Sequence, residues 1–248
     1  MTYCVGILVR DGLVMIADTR TNAGIDNIAT FRKLHCIERP GDRVIGLATA
    51  GNLAVSQSVL TVASEGLKNP DTGAMESLYN VPSMFKAAQL VGRAVREVHR
   101  VDGISLEQQQ PGGFDVSMLL GGQVKTGKLR LFMIYAAGNF IEATADTPYL
   151  QIGEHKYGKP ILDRSVTDKS DLYDALKLGL ISMDSTIRSN LGVGLPIDLL
   201  VVRRDALKTE LIYRIDASEP YFHDLRERWS SALRAAHLAI PAPPYKSP

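Results

Sequence analysis

Thr2 is the first residue able to do covalent chemistry, because removal of Met1, normal before a small residue, exposes a free α-amine on a threonine. A hydroxyl is a weak nucleophile that needs a base beside it. An α-amine, with an ordinary pKa of about 7.7–8.0, can be that base near neutral pH, so one residue can supply both groups. Met-Thr is also a frequent beginning with no catalytic meaning, and Thr2 gains weight only from its companions. Asp18 ends an apolar run, where a carboxylate is either functional or a solvated strand end. Lys33 opens the next apolar run. An ammonium near Thr2 favours the deprotonated amine and hydroxyl, and Asp18 can hold it in place; taken singly, Lys33 also reads as an edge-strand lysine. Gly51 closes a further run ahead of a helical pattern. There it either lets substrate approach main-chain N–H groups that stabilise an oxyanion, or simply makes a strand-to-helix turn.

Chemistry requires these four to meet, and the elements between them predict that they do. Tyr3 to Val9 and Leu13 to Ala17 are short apolar runs joined by Arg10-Asp11-Gly12, a hairpin signal. The turn lies midway between Thr2 and Asp18, so antiparallel pairing returns Asp18 to within a rung or two of Thr2. Thr19 to Thr30 reads as a loop; Lys33 to Glu38 and Arg43 to Ala50 read as strands turning at Pro40-Gly41-Asp42. Val55, Val59, Val62, Ala63 and Leu67 follow a helical period, as do Met84 to Val98 within a helix from about Ser83 to Val101. Strands are expected over Phe114 to Gly121, Leu129 to Ala136, Asn139 to Thr144 and Pro148 to Ile152. Ser170 is a candidate N-cap for a helix carrying Leu172 to Ile187; Pro196 to Val202 and Thr209 to Ile215 are further strands, and Tyr221 to Ile240 a polar amphipathic helix. The early strands are apolar on both faces, which requires cover on both faces. Strands and helices in this grouping predict an α+β fold, a four-layer αββα sandwich.

The composition excludes several classes. Among 248 residues, Lys+Arg 28 against Asp+Glu 27 gives a net charge of +1, with no basic excess for nucleic acid. Arg10 and Asp11 interrupt the first apolar run. Neither a signal peptide nor a membrane span is expected, and the reading is cytoplasmic, without a long leader ahead of Met1. Five histidines and two cysteines, Cys4 and Cys36, lack metal-ligand spacing, and Gly192-Val193-Gly194 is too short for a nucleotide loop. No metal and no cofactor are expected, and any ATP use would belong to a partner.

Thr2, the hairpin ending in Ala17-Asp18-Thr19, the Lys33 strand and Gly46 to Gly51 before a helix together resemble the proteasome-type N-terminal nucleophile hydrolases. The likeness is nearest to the bacterial ancestral β-subunit group, Anbu, through Thr2-Tyr3-Cys4-Val5, Thr21-Asn22-Ala23-Gly24, Phe31-Arg32-Lys33 and the stretch from Met183-Asp184-Ser185-Thr186 to Pro196-Ile197-Asp198. The resemblance implies one proteasome-like domain over 1–248, with 216–248 as a helical extension. It implies a threonine peptidase or amidase acting on peptide or peptide-like substrates: Thr2 as nucleophile and base, Asp18 and Lys33 as supporting pair, the Gly51 N–H in the oxyanion hole. Thr21 and Arg32 would contact substrate, with Arg32 favouring an acidic or polar side chain. A ring-like or helical homo-oligomer is also implied. The pattern departs from the family where a serine-bearing turn is replaced by Gly153-Glu154, and where Ser189 and Gly192 stand near the positions of an Asp and a Ser. Ser189, with Asn190, is then the expected substitute. The alternatives are an N-terminal nucleophile amidohydrolase or acyltransferase on small peptide-like compounds, and a ring-forming scaffold of weak activity.

Overall fold

A computed structural model describes residues 1–22 and 28–245; Ala23 and Gly24, which carry part of the resemblance, lie outside the described residues. In chain order the elements begin with β1 (Tyr3–Val9), β2 (Gly12–Asp18), β3 (Arg20–Asn22), β4 (Ile28–Thr30), β5 (Leu34–Arg39) and β6 (Arg43–Gly51). There follow α1 (Leu53–Glu65), β7 (Leu67–Lys68), β8 (Met75–Glu76), α2 (Met84–Val98), a π-helical turn over His99–Gly103, and α3 (Ile104–Gln109). The second half holds β9 (Val116–Val124), β10 (Arg130–Ile134), β11 (Phe140–Glu142), β12 (Tyr149–Gly153), α4 (Lys159–Ser165), α5 (Leu172–Ser189), β13 (Ile197–Arg203), β14 (Leu211–Ile215) and α6 (Pro220–Ala239).

Ten of the strands form two antiparallel five-stranded sheets, in the orders β12-β1-β2-β13-β14 and β11-β10-β9-β6-β5, and β3-β4 and β7-β8 are two-stranded ribbons. Side chains on a strand alternate between faces, and the core divides accordingly. Tyr3, Val5, Ile7 and Val9 of β1, with Val14 and Ile16 of β2, pack against α4, α5 and α6 through Leu162, Leu172, Leu180, Met183 and Phe222. Their neighbours Cys4, Leu13, Met15 and Ala17, with Leu200 of β13, face the other sheet, meeting Ala48, Leu119 and Leu131. On the far side, Ile45, Leu47, Met118 and Phe132 pack under α1 and α2 through Val55, Val59, Ala88 and Val91. The doubly apolar strands are thus covered on both faces, and the molecule has the four αββα layers that this pattern predicts.

Two local expectations are corrected, and one helix stands where no element is expected. The segment Thr19 to Thr30, read as a loop, contains the hairpin partners β3 and β4, in which Arg20 faces Thr30 and Thr21 faces Ala29; runs of three residues are too short to show a period. The cap of α5 is Asp171, whose Oδ1 accepts from Tyr173 N at 2.8 Å and Asp174 N at 3.2 Å, while Ser170 Oγ accepts from Thr167 N one turn earlier. The seven-residue α4 gave no helical signal of its own, and its one buried side chain is Leu162.

Candidate active site

The Asp-Gly hairpin sets the register on which the site depends. Cys4 pairs with Ala17, which leaves Tyr3 opposite Asp18, and Tyr3 N donates to Asp18 Oδ1 at 3.0 Å. Asp18 is fully buried. Lys33 Nζ donates to the same Oδ1 at 2.9 Å, and Gly194 N donates to Oδ2 at 3.3 Å. Burial pushes the Asp18 carboxyl above the usual carboxylate range, opposed by the charge and hydrogen bond of Lys33 and by the two main-chain donors.

Lys33 is nearly enclosed, with 3% of its side chain exposed. All three ammonium protons have acceptors: Asp18 Oδ1, the Arg20 carbonyl at 2.6 Å and the Met1 carbonyl at 3.4 Å. The Met1 oxygen and the Thr2 nitrogen belong to one peptide plane and lie about 2.3 Å apart. Lys33 Nζ is therefore within about 6 Å of the atom that becomes the α-amine, close enough for a cation to hold an amine deprotonated.

Thr2 is itself buried, and its carbonyl accepts from Glu154 N at 2.7 Å. Gly153, at φ +78°, makes that contact possible, since a Cβ there would lie 2.0 Å from the Thr2 carbonyl oxygen. The next residue anchors the strand: Tyr3 Oη lies 2.6 Å from Ser182 Oγ on α5 and accepts from Gln151 Nε2 at 2.5 Å. Burial raises the Tyr3 phenol well above its ordinary range, so it stays a neutral pin. Cys4 is fully buried with its thiol raised by burial, its Sγ 3.6 Å from the Thr49 carbonyl, and it is a core residue.

Gly51 ends β6 opposite Val116. At φ +103°, with a would-be Cβ only 2.3 Å from the Asp115 carbonyl oxygen, the position accepts no other residue without displacement. Asn52 follows as N-cap, its Oδ1 accepting from Ala54 N at 3.0 Å and Val55 N at 3.3 Å, so these two N–H groups at the start of α1 are already taken.

The remaining predicted residues are placed less centrally. Thr21 Oγ donates to the Ala29 carbonyl at 3.0 Å, locking the β3–β4 hairpin. Arg32 is mostly exposed and lies 3.7 Å from Asp198, whose carboxylate is already held by Arg214 Nε and Nη2 at 2.7 and 2.8 Å. Two guanidinium groups thus share one carboxylate, leaving a local surplus of positive charge. Ser189 is exposed at the last position of α5 and no contact joins it to Thr2. The segment reaches the site three residues later: a Cβ on Gly192 would lie 2.5 Å from the Met1 Cβ. Asn190 Oδ1 turns inward to accept from Gly192 N at 2.9 Å. Gly153, Gly192, Gly194 and Tyr3 were missed as contributors because they act through main-chain atoms or bulk. The departures from the family pattern at Gly153-Glu154 and at Gly192 are the signals that point to two of them. Among the described residues no group of His, Cys, Asp and Glu is arranged to hold a metal ion. No helix among them is long and apolar enough to cross a membrane.

A fold of two sheets between helix layers, with a threonine at the start of the central hairpin and a buried Asp–Lys pair beneath it, defines a class. The model of the proteasome subunit family matches residues 2–202, and the chain belongs to that family. Within it the likeness is to Anbu, the ancestral β-subunit. A Gly-1 mutant of Anbu from Hyphomicrobium sp. strain MC1 is 47% identical, with a TM-score of 0.89 over 99% of this chain and 100% of that one. Anbu from Yersinia bercovieri is 45% identical with the same TM-score, 0.89, and coverages of 99% and 100%. Anbu from Pseudomonas aeruginosa, solved as a helical assembly, is 48% identical at TM-score 0.89 over 98% of each chain. No match is found among the curated proteins.

Proposed function

We propose that this chain is a threonine-type amide hydrolase of peptides or peptide-like compounds, active once Met1 is removed. The observation that carries the reading is the buried Asp18–Lys33 pair, 2.9 Å apart, directly beneath Thr2. In the processed chain the Thr2 amine takes the hydroxyl proton as Oγ attacks the substrate carbonyl carbon. The resulting oxyanion sits at the Gly51 N–H. Collapse breaks the C–N bond, the Thr2 ammonium returns its proton to the leaving amine, and an ester joins the acyl group to Oγ. A water molecule, deprotonated by the same amine, attacks the ester and releases the acid. Lys33 lowers the proton affinity of the amine by proximity, and Asp18 holds Lys33 and offsets its charge. The surplus cation at Arg32 favours an acidic or polar side chain on the acyl side.

The test is intact mass followed by labelling with a threonine-directed electrophile. The expected result is loss of one methionine and a single adduct on Thr2, absent in Thr2→Ala. Retained Met1, or labelling that persists in Thr2→Ala, overturns the mechanism. A second reading, a scaffold without turnover, is favoured by one observation: the loops beside Thr2 present Gly153 and Gly192, which offer the amine no side-chain hydroxyl. A wild type that loses Met1 and takes no label under conditions that label an active threonine hydrolase supports that reading.

We also infer self-association into a ring-like or helical array, by likeness to the Pseudomonas aeruginosa Anbu solved as a helical assembly. Light scattering that returns a monomer at micromolar concentration overturns it. The proposed setting is the cytoplasm, checked by cell fractionation.

A further inference from the structure

A groove of about 590 Å³ runs along β12, lined by Ser117 and Met133 of one sheet and by Tyr149 to Gly153 of the other. Three features join it to the site. Gly153, at one end, touches the Thr2 carbonyl. Ser117 stands opposite Ala50, one rung from Gly51. One end of the groove therefore lies beside Thr2, through Gly153, and one rung from Gly51, through Ser117. The third feature is the strand itself: β12 is an edge strand whose only sheet neighbour among the described residues is β1. On its open side the Gly153 carbonyl accepts from His155 N at 2.9 Å, while Tyr149 and Gln151 turn their main-chain groups outward with no main-chain partner among the described residues, the template on which an extended peptide adds as a further strand.

The side of approach identifies the occupant. β1, which begins beside Thr2, has β2 on one flank and β12 on the other. Asp18 ends β2, Lys33 is bonded to it, and Thr21 and Arg32 follow on the same flank, which the proposed function gives to the acyl half of a substrate. What remains for the β12 flank is the half that leaves as the amine. Five strand residues, Tyr149–Gly153, span roughly 16 Å at about 3.3 Å per residue, room for about four residues beyond the scissile bond.

We propose that this groove binds the leaving-group half of a peptide substrate in extended form, paired to the open edge of β12. The proposal rests on the hydrolase reading above, and its test separates the two. Two substrates share an acyl half ending in glutamate; one ends in an aminocoumarin amide, the other continues for four alanines. The groove is narrowed from the facing sheet by Met133→Trp and at the far end of β12 from Gly153 by Thr147→Trp. The expected result is that kcat/KM for the extended peptide, relative to that for the coumarin amide, falls at least tenfold in each variant. An unchanged ratio in both overturns the proposal.

A binding measurement needs no turnover. Thr2→Ala with fluorescein-labelled versions of the extended peptide and of its acyl half alone should show tighter binding of the extended one by anisotropy, and the difference should vanish on adding Met133→Trp. Equal affinities in Thr2→Ala refute the groove whether or not the wild type hydrolyses anything. Failure of the wild type to label at Thr2 refutes the hydrolase reading alone.

Discussion

Replacing Lys33 by methionine keeps the apolar stem and deletes the charge, and it tests whether the Asp18–Lys33 pair holds the site together. At a separation of 2.9 Å, Coulomb's law with an effective dielectric constant near 20 gives a gross attraction of about 6 kcal/mol. Burial of both ions offsets much of it, so the net worth of the pair is small. Removing one member is costly nevertheless, roughly 3–5 kcal/mol, because the other stays buried. Asp18 would be left fully enclosed with only Tyr3 N and Gly194 N as donors.

The cost must depend on pH, and the sign follows from the shift. Burial raises the Asp18 carboxyl and Lys33 pulls it down; without Lys33 the rise is larger. Between the unfolded value, about 3.9, and the raised folded value, the native state binds the extra proton, so stability falls as pH increases through that window. The deficit of Lys33→Met is therefore larger at pH 8 than at pH 5, because lowering the pH towards the folded value protonates Asp18, and a neutral carboxyl needs no cation. Urea unfolding of wild type and variant at pH 5 and pH 8, at one protein concentration, reads this directly; the midpoint at pH 8 should drop by roughly 1 M or more. A deficit below about 1 kcal/mol at pH 8, or the same deficit at both pH values, refutes the reasoning. Adding Asp18→Asn to Lys33→Met should recover part of the loss at pH 8, since no uncompensated charge then remains.

Gly153→Ala forces a methyl to within 2.0 Å of the Thr2 carbonyl oxygen, so Thr2 must move; electrophile labelling should fall about a hundredfold, and labelling at the wild-type rate counts against that contact. Gly51→Ala combines φ +103° with a Cβ 2.3 Å from the Asp115 carbonyl oxygen, and should cost at least ~2 kcal/mol in urea unfolding, with a matching loss of turnover. Arg226→Met leaves Asp184, fully buried and 2.5 Å from Arg226 Nε, with only Arg188. It should lower Tm by roughly 5–10 °C while sparing labelling of Thr2; equal loss of both would mean that α6 supports the site directly. Arg32→Glu reverses the charge beside Asp198 and should shift preference from acidic towards basic fluorogenic substrates, an effect absent if Arg32 lies outside the acyl-side pocket.

The parts of the site legible in the sequence are those in which residue identity does the work. A carboxylate ending an apolar strand is conspicuous, and the Asp-Gly turn fixes a two-fold count of residues around it, so that count alone places Asp18 beside Thr2. The doubly apolar strands likewise demand cover on both faces, and the four layers follow. What stays hidden is built from main chain and shape. Asp18 is oriented by Tyr3 N and Gly194 N, and two of the three protons of Lys33 go to carbonyls. Any residue but proline offers the same N–H, and every residue offers the same C=O, so no side-chain pattern marks these positions. Gly153 and Gly192 act by what they lack, and the family resemblance leads instead to Ser189, which is exposed at the end of α5. This has a chemical consequence. With glycines where side-chain donors could stand, the amine of a processed Thr2 would have Lys33 as its main electrostatic partner. The pH dependence of labelling should then respond strongly to Lys33 and hardly at all to Ser189→Ala. A large change in the labelling pH profile on Ser189→Ala would show that the loop after α5 rearranges when Met1 leaves.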